Sequence, residues 1–394
     1  MPHADLRALL DLVQTTSPVE AIDMMADQLA VMLEADAVSF LITDLSGRAV
    51  ARFGGTDANA ARERERGAEN ARTVALPGTV YEQVLRSQEP DLRPDGDGAR
   101  LIVPVTDRGD TIGVLELELP WYPDDRAVGE IAAAGRVLAY VVVACRRHTD
   151  LFEWAQRTAP FSLAAEIQRR LLPSAFTCEA GRFTVAGWLE PANAVGGDTF
   201  DYALDRDQLH LSITDAVGHD VHAALLATVL VGSLRNSRRR DMSLAEQAST
   251  ANDALAANSP VGDFVTGQLV RVDLATAEMS IVNAGHPPPF RVRDGRVETL
   301  ELAIDMPFGI RPGREFAVQR IALEPGDRIV LVTDGMLERN AEDLDVAAAL
   351  ARTAGMHPRE FVYVIGEAVL HATDQNLRDD ATVVCLDWNG GPIR

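Results

Sequence analysis

The stretch Val195–His219, VGGDTFDYALDRDQLHLSITDAVGH, contains the two aspartates around which we expect the rest of the chain to be organised. Asp198 and Asp215 flank one predicted strand, because apolar and polar residues alternate before the second aspartate. Gly196 and Gly197 precede the first aspartate and let the backbone turn tightly or lie close to other atoms. A carboxylate held at the end of a buried strand can face a cleft and bind a hard cation.

Further acidic residues stand beside predicted strands later in the chain. Asp334 follows RIVLVT, and Asp379 and Asp380 precede ATVVCLDW. In a sandwich whose strands end at one edge, these residues would converge with the first two aspartates despite their separation in sequence. Converging carboxylates raise one another's pKa unless a positive charge intervenes, so the pattern indicates a divalent cation.

The available donor atoms indicate which cation. Oxygen is the recurring donor, and it suits Mg²⁺, Mn²⁺ or Ca²⁺. Zinc is disfavoured, because no cysteine adjoins these aspartates and His219 and His222 have no third soft partner. Two metal ions about 3.5–4 Å apart could activate a water for attack on a phosphate ester, with no protein nucleophile required.

The overall charge limits the possible partners. Thirty-seven Lys and Arg against 59 Asp and Glu give a formal net charge of −22, which argues against a nucleic-acid partner. The run RNSRRR at Arg235–Arg240 is the basic patch, and we interpret it as a solvated helix end. An arginine cluster that binds a phosphorylated protein is the alternative.

The chain is predicted to be cytoplasmic. Three widely spaced cysteines, an odd number, fit a reducing compartment. The N-terminus shows no secretory signal, and we find no run of the roughly 20 apolar residues that cross a bilayer. At 394 residues the chain has room for two domains.

Residues 1–148 are predicted to form the first domain. The order is helix, paired strands, a variable middle, a hairpin LIVPVTDRGDTIGVLELEL and a long helix from Asp124. This order resembles a GAF sensor domain, which implies an α/β fold and a small-molecule or protein effector. A structural dimerisation domain without a ligand is an equal alternative. The apolar exit helix favours a homodimer.

Residues 149–172 are predicted to form a helical connector. Pro160 should interrupt the helix, and Ser162 can cap the piece that follows. Leu163, Ile167 and Leu171 then form one apolar stripe. The segment is either an ordinary interdomain helix or a lever that transmits a change between the domains.

Residues 173–390 are predicted to form the second domain, and their motif order is distinctive. The motifs are IQRRLLP just before it, then PANAVGGDTFDY, ITDAVGHD, FVTGQLVRVDL, VNAGHPPPF, LEPGDRIVLVTDGMLE and RDDATVVCL. In this order they resemble the SpoIIE-like, RsbU-type branch of the PPM metal-dependent protein phosphatases. The resemblance implies an α+β chain with a C-terminal α/β/β/α sandwich and two Mn²⁺ or Mg²⁺ ions. It also implies a phosphoserine or phosphothreonine substrate on a regulatory protein such as an anti-sigma factor antagonist.

The resemblance further implies which residues bind the two ions. These are four carboxylates and one backbone carbonyl: Asp198, Asp215, Ala216, Asp334 and Asp379. Asp215 would bridge both ions, Asp198 and the Ala216 carbonyl would complete one site, and Asp334 and Asp379 would complete the other.

Some positions depart from the family pattern or leave a choice open. Asp380 stands where relatives have Asp or Asn, so the resemblance favours Asp379 over it as a ligand. Thr199 and Phe200 replace the more usual Trp-Tyr, which should alter packing. Asp220 stands where Gly often follows the Gly-His pair, and its charge could weaken activity or change substrate preference.

Parts of the sequence are compatible with two other functions. Gly196, Gly197 and Asp198 match part of the GGDEF signature of diguanylate cyclases, but Thr199 replaces its essential acid, and a three-residue match is weak. The second alternative is a catalytically silent binding module of the same fold. It is disfavoured because unpaired clustered carboxylates are costly without a metal.

Overall fold

The computed structural model describes residues 2–56, 73–157, 162–191, 197–337, 346–374 and 377–391. The chain divides into two compact units, and the boundary lies between Pro160 and Phe161. This boundary lies inside the predicted connector, whose two helical pieces fall in different units. Pro160, the predicted interruption, is outside the described residues.

The first unit contains a six-stranded antiparallel sheet with the order β3-β2-β1-β6-β5-β4. Its strands are β1 Ala37–Thr43, β2 Ala49–Gly55, β3 Thr73–Ala75, β4 Asp91–Asp95, β5 Gly98–Asp107 and β6 Asp110–Leu119. Its helices are α1 Leu6–Thr15, α2 Ala21–Leu33, α3 Val80–Ser87, α4 Asp125–Cys145 and α5 Leu151–Gln156. The predicted hairpin is β5–β6, and Asp124 caps α4.

Helices pack on both faces of this sheet. Successive residues of β1 point to opposite faces, so Phe40 and Ile42 pack with α1, α2, α4 and α5 while Leu41 packs with α3. The alternation explains how one strand contributes to two cores. The GAF-like assignment of this unit remains a prediction.

The helix α4 is the one helix among the described residues that is long and apolar enough to cross a membrane by length and composition. It is 21 residues long, and an 18-residue window within it has a mean hydropathy of 1.7. Glu130 and Arg136 interrupt its apolar residues, so it is not an uninterrupted run of about 20 apolar residues. Ile131 and Leu138 on its inner face are buried in the core of the first unit, as in the core helix of a soluble domain.

The second unit contains two antiparallel sheets, with the orders β15-β12-β11-β10-β9 and β14-β13-β16-β17-β8-β7. Its strands are β7 Thr177–Glu179, β8 Phe183–Glu190, β9 Thr199–Leu204, β10 Gln208–Ala216, β11 Val265–Asp273, β12 Glu278–Ala284, β13 Phe290–Arg293, β14 Arg296–Thr299, β15 Gln319–Ala322, β16 Asp327–Val332 and β17 Ala381–Trp388. Its helices are α6 Leu163–Leu171, α7 Asp220–Arg239, α8 Leu244–Asn258, α9 Val346–Arg352 and α10 Pro358–Ala372, with a 3₁₀ turn at Asp334–Leu337.

Three apolar cores show how these elements are layered. The inner core joins the two sheets, for example through Ile213 on β10 and Leu386 on β17. A second core lies between the five-stranded sheet and α7 and α8, and includes Leu230. A third core lies between the six-stranded sheet and α9 and α10, and includes Phe361. The layers are therefore helix, sheet, sheet and helix, the arrangement expected from the sequence.

One expectation about the central stretch is wrong. Asp198 and Asp215 do not flank a single strand, because β9 and β10 are separate strands joined by a short turn. They pair antiparallel with Thr199 opposite Thr214. Both aspartates therefore lie at the same end of a hairpin, which brings them together directly. Phe200 explains the extra strand, because its side chain is buried between the sheets.

Candidate functional site

Asp198 lies where the two sheets of the second unit meet. Asp198 comes directly before β9 of the five-stranded sheet. Its carboxylate accepts hydrogen bonds from two hydroxyls that belong to the six-stranded sheet or to the segment that follows one of its strands. Thr333 Oγ1 donates to Asp198 Oδ2 at 2.8 Å, and Thr382 Oγ1 donates to the same oxygen at 2.6 Å. Asp198 is 1% exposed. Its carboxylate is therefore held in one orientation without contact with bulk water.

The surroundings of Asp198 oppose its negative charge. Burial raises the pKa of Asp198 well above its ordinary value, and the charges of Asp215 and Asp380 raise it further. The two threonine hydroxyls act in the opposite direction. The net direction is upward, so the buried carboxylate favours a bound proton or a nearby cation.

Asp215 is surrounded by the other acidic residues. Burial and then the charges of Asp334, Asp379 and Asp380 raise the pKa of Asp215 to about 7. The pKa of Asp379 is also raised, by burial and by Asp334. The structure therefore brings all the predicted acidic residues into one cluster, which we call the acid cluster: Asp198, Asp215, Asp334, Asp379 and Asp380.

The two adjacent aspartates before β17 differ in their environments. Asp380 is 1% exposed, and its Oδ2 accepts a hydrogen bond of 2.7 Å from Gln168 Nε2. The same nitrogen donates to the backbone carbonyl of Asp198 at 2.9 Å. Asp379 is half-buried, and its Oδ1 accepts from the backbone N–H of Asp380. Since Asp380 acts on the pKa of both Asp198 and Asp215, it is a candidate ligand alongside Asp379.

Two glycines allow the backbone segments of the acid cluster to approach closely. A Cβ atom at Gly197 would lie 2.6 Å from the carbonyl oxygen of Ala216. A Cβ at Gly335 would lie 2.0 Å from the carbonyl oxygen of Asp380. Both distances are too short for a side chain, so each glycine is required by packing. Gly196, the other glycine of the motif, is outside the described residues.

The donor set fits a divalent cation in its chemistry. Buried carboxylates that raise one another's pKa favour a nearby positive charge, and oxygen donors suit Mg²⁺ or Mn²⁺. Within the described residues, however, no group of three or more His, Cys, Asp or Glu side chains already stands in a metal-holding arrangement. The assignment of Asp198, Asp215, the Ala216 carbonyl, Asp334 and Asp379 as ligands therefore remains a prediction.

The histidines of the motifs have other partners. His219 Nδ1 lies 2.9 Å from Asp220 Oδ2, and His222 Nε2 lies 2.8 Å from Asp263 Oδ2. His286 is buried, and burial lowers its pKa to about 3, so it is neutral. Each of the first two histidines pairs with its own carboxylate, an arrangement that does not suggest a shared zinc site.

Sequence reasoning missed the residues that hold the acid cluster in place. Thr333 and Thr382 stand beside the predicted aspartates, and a hydroxyl next to an acidic residue at a strand end was the available signal. Gln168 is 212 positions from Asp380, so no local pattern could connect them.

The basic run was also partly misread. Arg235 and Arg238 do not extend into solvent, because both bind the buried Asp201. Among the arginines of the run Arg235–Arg240, the interpretation as a solvated helix end therefore holds for the exposed Arg239 and Arg240. The spacing of three residues between Arg235 and Arg238 places them on one helix face, and this was the available signal.

Comparison with known proteins places the second unit in a family. Residues 205–389 match the family model described as Stage II sporulation protein E (SpoIIE). The chain is 24% identical over 235 residues to the phosphoserine phosphatase RsbU of Bacillus subtilis, covering 57% of this chain and 68% of RsbU. It is 22% identical over 184 residues to the phosphoserine phosphatase RsbP of the same organism, covering 45% of each.

One solved structure is also similar to part of the chain. The SiaA-PP2C domain of Pseudomonas aeruginosa matches 56% of this chain and 93% of that chain, with 20% sequence identity and a TM-score of 0.49. The chain spans about two thirds of RsbU and less than half of RsbP. Residues 205–389 of this chain form a SpoIIE domain, homologous to the phosphatases RsbU and RsbP.

Proposed function

We propose that the chain is a metal-dependent phosphatase that removes phosphate from phosphoserine or phosphothreonine on a regulatory partner protein. The acid cluster supports this proposal most directly, because both sheets bring buried carboxylates with raised pKa values to one place. The names of RsbU and RsbP as phosphoserine phosphatases support the substrate class. By the family resemblance, the partner is an anti-sigma factor antagonist.

The acid cluster would hold two Mn²⁺ or Mg²⁺ ions. The carboxylates of Asp198, Asp215, Asp334 and Asp379 and the carbonyl of Ala216 would bind them, with Asp380 as a further donor. When bound, the ions supply a nucleophilic water and neutralise charge on the phosphate. Without the ions, the pKa of Asp215 is raised to about 7, so this carboxyl carries a proton for part of the time near neutral pH and would release it when the ions bind.

The remaining residues of the site keep the carboxylates in place. Thr333 and Thr382 fix the orientation of Asp198, so it need not reorganise when a cation or substrate arrives. Gln168 bridges the Asp198 carbonyl and the Asp380 carboxylate. It is a positioning residue, and it places α6 in direct contact with the acid cluster.

A catalytically silent module that binds a phosphoprotein is the second candidate. The observation that favours it is that the side chains of the acid cluster do not already form a ready ligand set among the described residues. One measurement distinguishes the two candidate functions, the release of inorganic phosphate from a phosphoserine peptide.

The test uses the full chain with Mn²⁺, with Mg²⁺ and with a chelator. We expect phosphate release that depends on the divalent cation and stops when the chelator is added. Release of phosphate that is indifferent to the chelator would contradict the metal assignment. No release under any condition, from a protein that still binds the phosphopeptide, would favour the silent module.

We also propose that the first unit controls the phosphatase through α6. This helix begins just after the first unit, Ser162 caps it, and Gln168 in its second turn is hydrogen-bonded to the acid cluster. A shift of α6 would therefore move a group bonded to both Asp198 and Asp380. The two hydrogen bonds of Gln168 support this proposal, because they join α6 to the acid cluster.

Two comparisons test this control. A fragment that starts at Ser162 should differ in phosphatase rate from the full chain, and equal rates with and without any effector would remove the need for control. Gln168→Ala should change the phosphatase rate of the full chain. It should also change the difference in rate between the full chain and the fragment. Arg170→Ala, on the same helix with a side chain 61% exposed, is the matched control and should change neither.

A further inference from the structure

A cavity of about 590 Å³ lies within the second unit, away from the acid cluster. It is bounded by the segment after α6, the far end of β9 and the last turns of α7. Because a strand advances about 3.3 Å per residue, Leu204 at the cavity lies roughly 20 Å along β9 from Asp198. The volume is that of a typical small-molecule site, which spans about 300–1,000 Å³.

Two arginines define the chemistry of this cavity, which we call the arginine cavity. Arg235 donates to both carboxylate oxygens of Asp201, at 3.1 and 3.0 Å, and Arg238 donates to one at 2.7 Å. Asp201 is almost fully buried, and the Arg238 side chain is 13% exposed. One carboxylate thus faces two guanidinium groups, which leaves an excess positive charge at the cavity wall.

The other titratable groups at the cavity do not cancel this excess. Burial, and then the charge of Arg238, lower the pKa of His210 to about 4, so it is neutral. Arg239 on the exposed rim adds a positive charge, and Asp205 adds a negative one. Among the described residues, Arg238 donates to Asp201 alone, while a guanidinium carries five N–H groups. Donors therefore remain for an incoming anion.

We propose that the arginine cavity binds a small organic phosphate and that this binding acts on the acid cluster through α6. Arginine is suited to phosphate, because its planar fork can donate two parallel hydrogen bonds to phosphate oxygens. Leu172, Tyr202 and Leu204 line the same cavity and provide apolar surface for the organic part of the ligand.

Arg235 connects the cavity to α6. Its Nη2 donates to the backbone carbonyl of Leu171 at 2.5 Å, and Leu171 is the last residue of that helix. Gln168, which is bonded to Asp198 and Asp380, lies one turn earlier. A phosphate that draws Arg235 toward it weakens the hold on Leu171, so the end of α6 moves and Gln168 moves with it. This coupling step rests on the proposed phosphatase function, whereas the binding step does not.

Binding is tested by calorimetry on the full chain with adenosine monophosphate, inorganic phosphate and adenosine. We expect both phosphates to bind saturably and adenosine not to bind. Arg238→Gln should weaken the binding of adenosine monophosphate by about tenfold or more, since a charge-assisted hydrogen bond is lost. Arg240→Gln, an exposed arginine of the same run outside the cavity, should leave it unchanged.

Two further variants keep the binding test decisive. Arg239→Glu lies on the exposed rim, so it should weaken phosphate binding without unfolding the protein even if Arg238→Gln fails to fold. Asp215→Asn should leave the binding unchanged. Binding that is lost in Asp215→Asn but retained in Arg238→Gln and Arg239→Glu would place the ligand in the acid cluster and overturn the proposal. Absence of saturable binding, or equal binding of adenosine, would overturn it too.

Coupling is tested by the rate of p-nitrophenyl phosphate hydrolysis with and without adenosine monophosphate. We expect the nucleotide to change the rate in the wild-type chain and not in Arg238→Gln. Binding without any change in rate would overturn the coupling and leave the cavity assignment standing. If the chain shows no phosphatase activity at all, the proposed function fails, and the calorimetry still decides whether the arginine cavity binds phosphate.

Discussion

Two aspartates at β9, only three residues apart, are buried in opposite environments. Asp201 faces Arg235 and Arg238, which neutralise its charge. Asp198 has two threonine hydroxyls and the charges of other carboxylates around it, and its pKa is raised. A buried carboxylate needs a compensating charge. The fold provides one at Asp201, whereas at Asp198 it leaves the place for a proton or a cation, and this difference separates a structural ion pair from a candidate reactive site.

The largest effect is expected in the acid cluster, where no positive side chain neutralises the carboxylates. Asp215→Asn removes the carboxylate assigned to bridge both cations, so phosphate release should fall on the order of 10³-fold, the scale of losing a central electrostatic group in a site. Thermal unfolding should show that the variant stays folded. Asp294→Asn, in the exposed turn between β13 and β14, is the control and should retain full activity. Unchanged turnover in Asp215→Asn would contradict the assignment.

A substitution at Asp201, whose charge is neutralised by two arginines, should change the stability of the protein. Asp201→Asn leaves Arg235 and Arg238 facing each other without a carboxylate, so the free energy of unfolding should fall by about 3 kcal/mol, as when a buried ion pair loses one partner. Urea denaturation measures this change. A loss below about 0.5 kcal/mol, as for an exposed ion pair, would show that the two aspartates do not differ as described.

The matching substitution at Asp198 should have the opposite effect and increase the free energy of unfolding. In chelator, Asp198→Asn removes a buried charge that no positive group compensates, while the amide oxygen can still accept from Thr333 and Thr382. We expect the metal-free chain to gain about 1–2 kcal/mol in the free energy of unfolding at pH 8, the scale of relieving a buried charge. The same urea experiment measures it. Destabilisation of the metal-free chain would mean that the charge of Asp198 is compensated after all.

The signals that succeeded in the sequence were local. The hairpin β5–β6, the helix that begins after Asp124 and the helix cap at Ser162 are all present as predicted. Each depends on residues close together in the chain, where turn and capping chemistry decide the conformation.

The features that failed depend on contacts made only after folding. The strand β9 is short and has no clear alternation, and its place is set by pairing with β10 and by the burial of Phe200. The hydrogen-bond partners of the Asp198 and Asp201 carboxylates lie 34 to 184 residues away. The positions of the aspartates beside predicted strands indicated that they converge, but they could not show which carboxylates are paired with a positive charge.

The smallest effect is a dependence of stability on pH in the metal-free chain. A carboxylate whose pKa is raised to about 7 in the folded state binds more protons there than in the unfolded state, so stability falls as pH rises through that value. Between pH 6 and pH 8 we expect a loss of about 1 kcal/mol from Asp215. Asp215→Asn should flatten this slope, and an unchanged slope in the variant would assign the titration to another group.

The most direct test of the account is the number of protons released when Mn²⁺ binds to the full chain, measured by calorimetry at pH 6.5 in buffers of different ionisation enthalpy. Because Asp198 and Asp215 have raised pKa values, we expect Mn²⁺ to bind with release of protons and to bind more tightly as pH rises. Asp215→Asn should release fewer protons. Failure of Mn²⁺ to bind, or binding with no proton release, would contradict the claim that the acid cluster exchanges protons for cations.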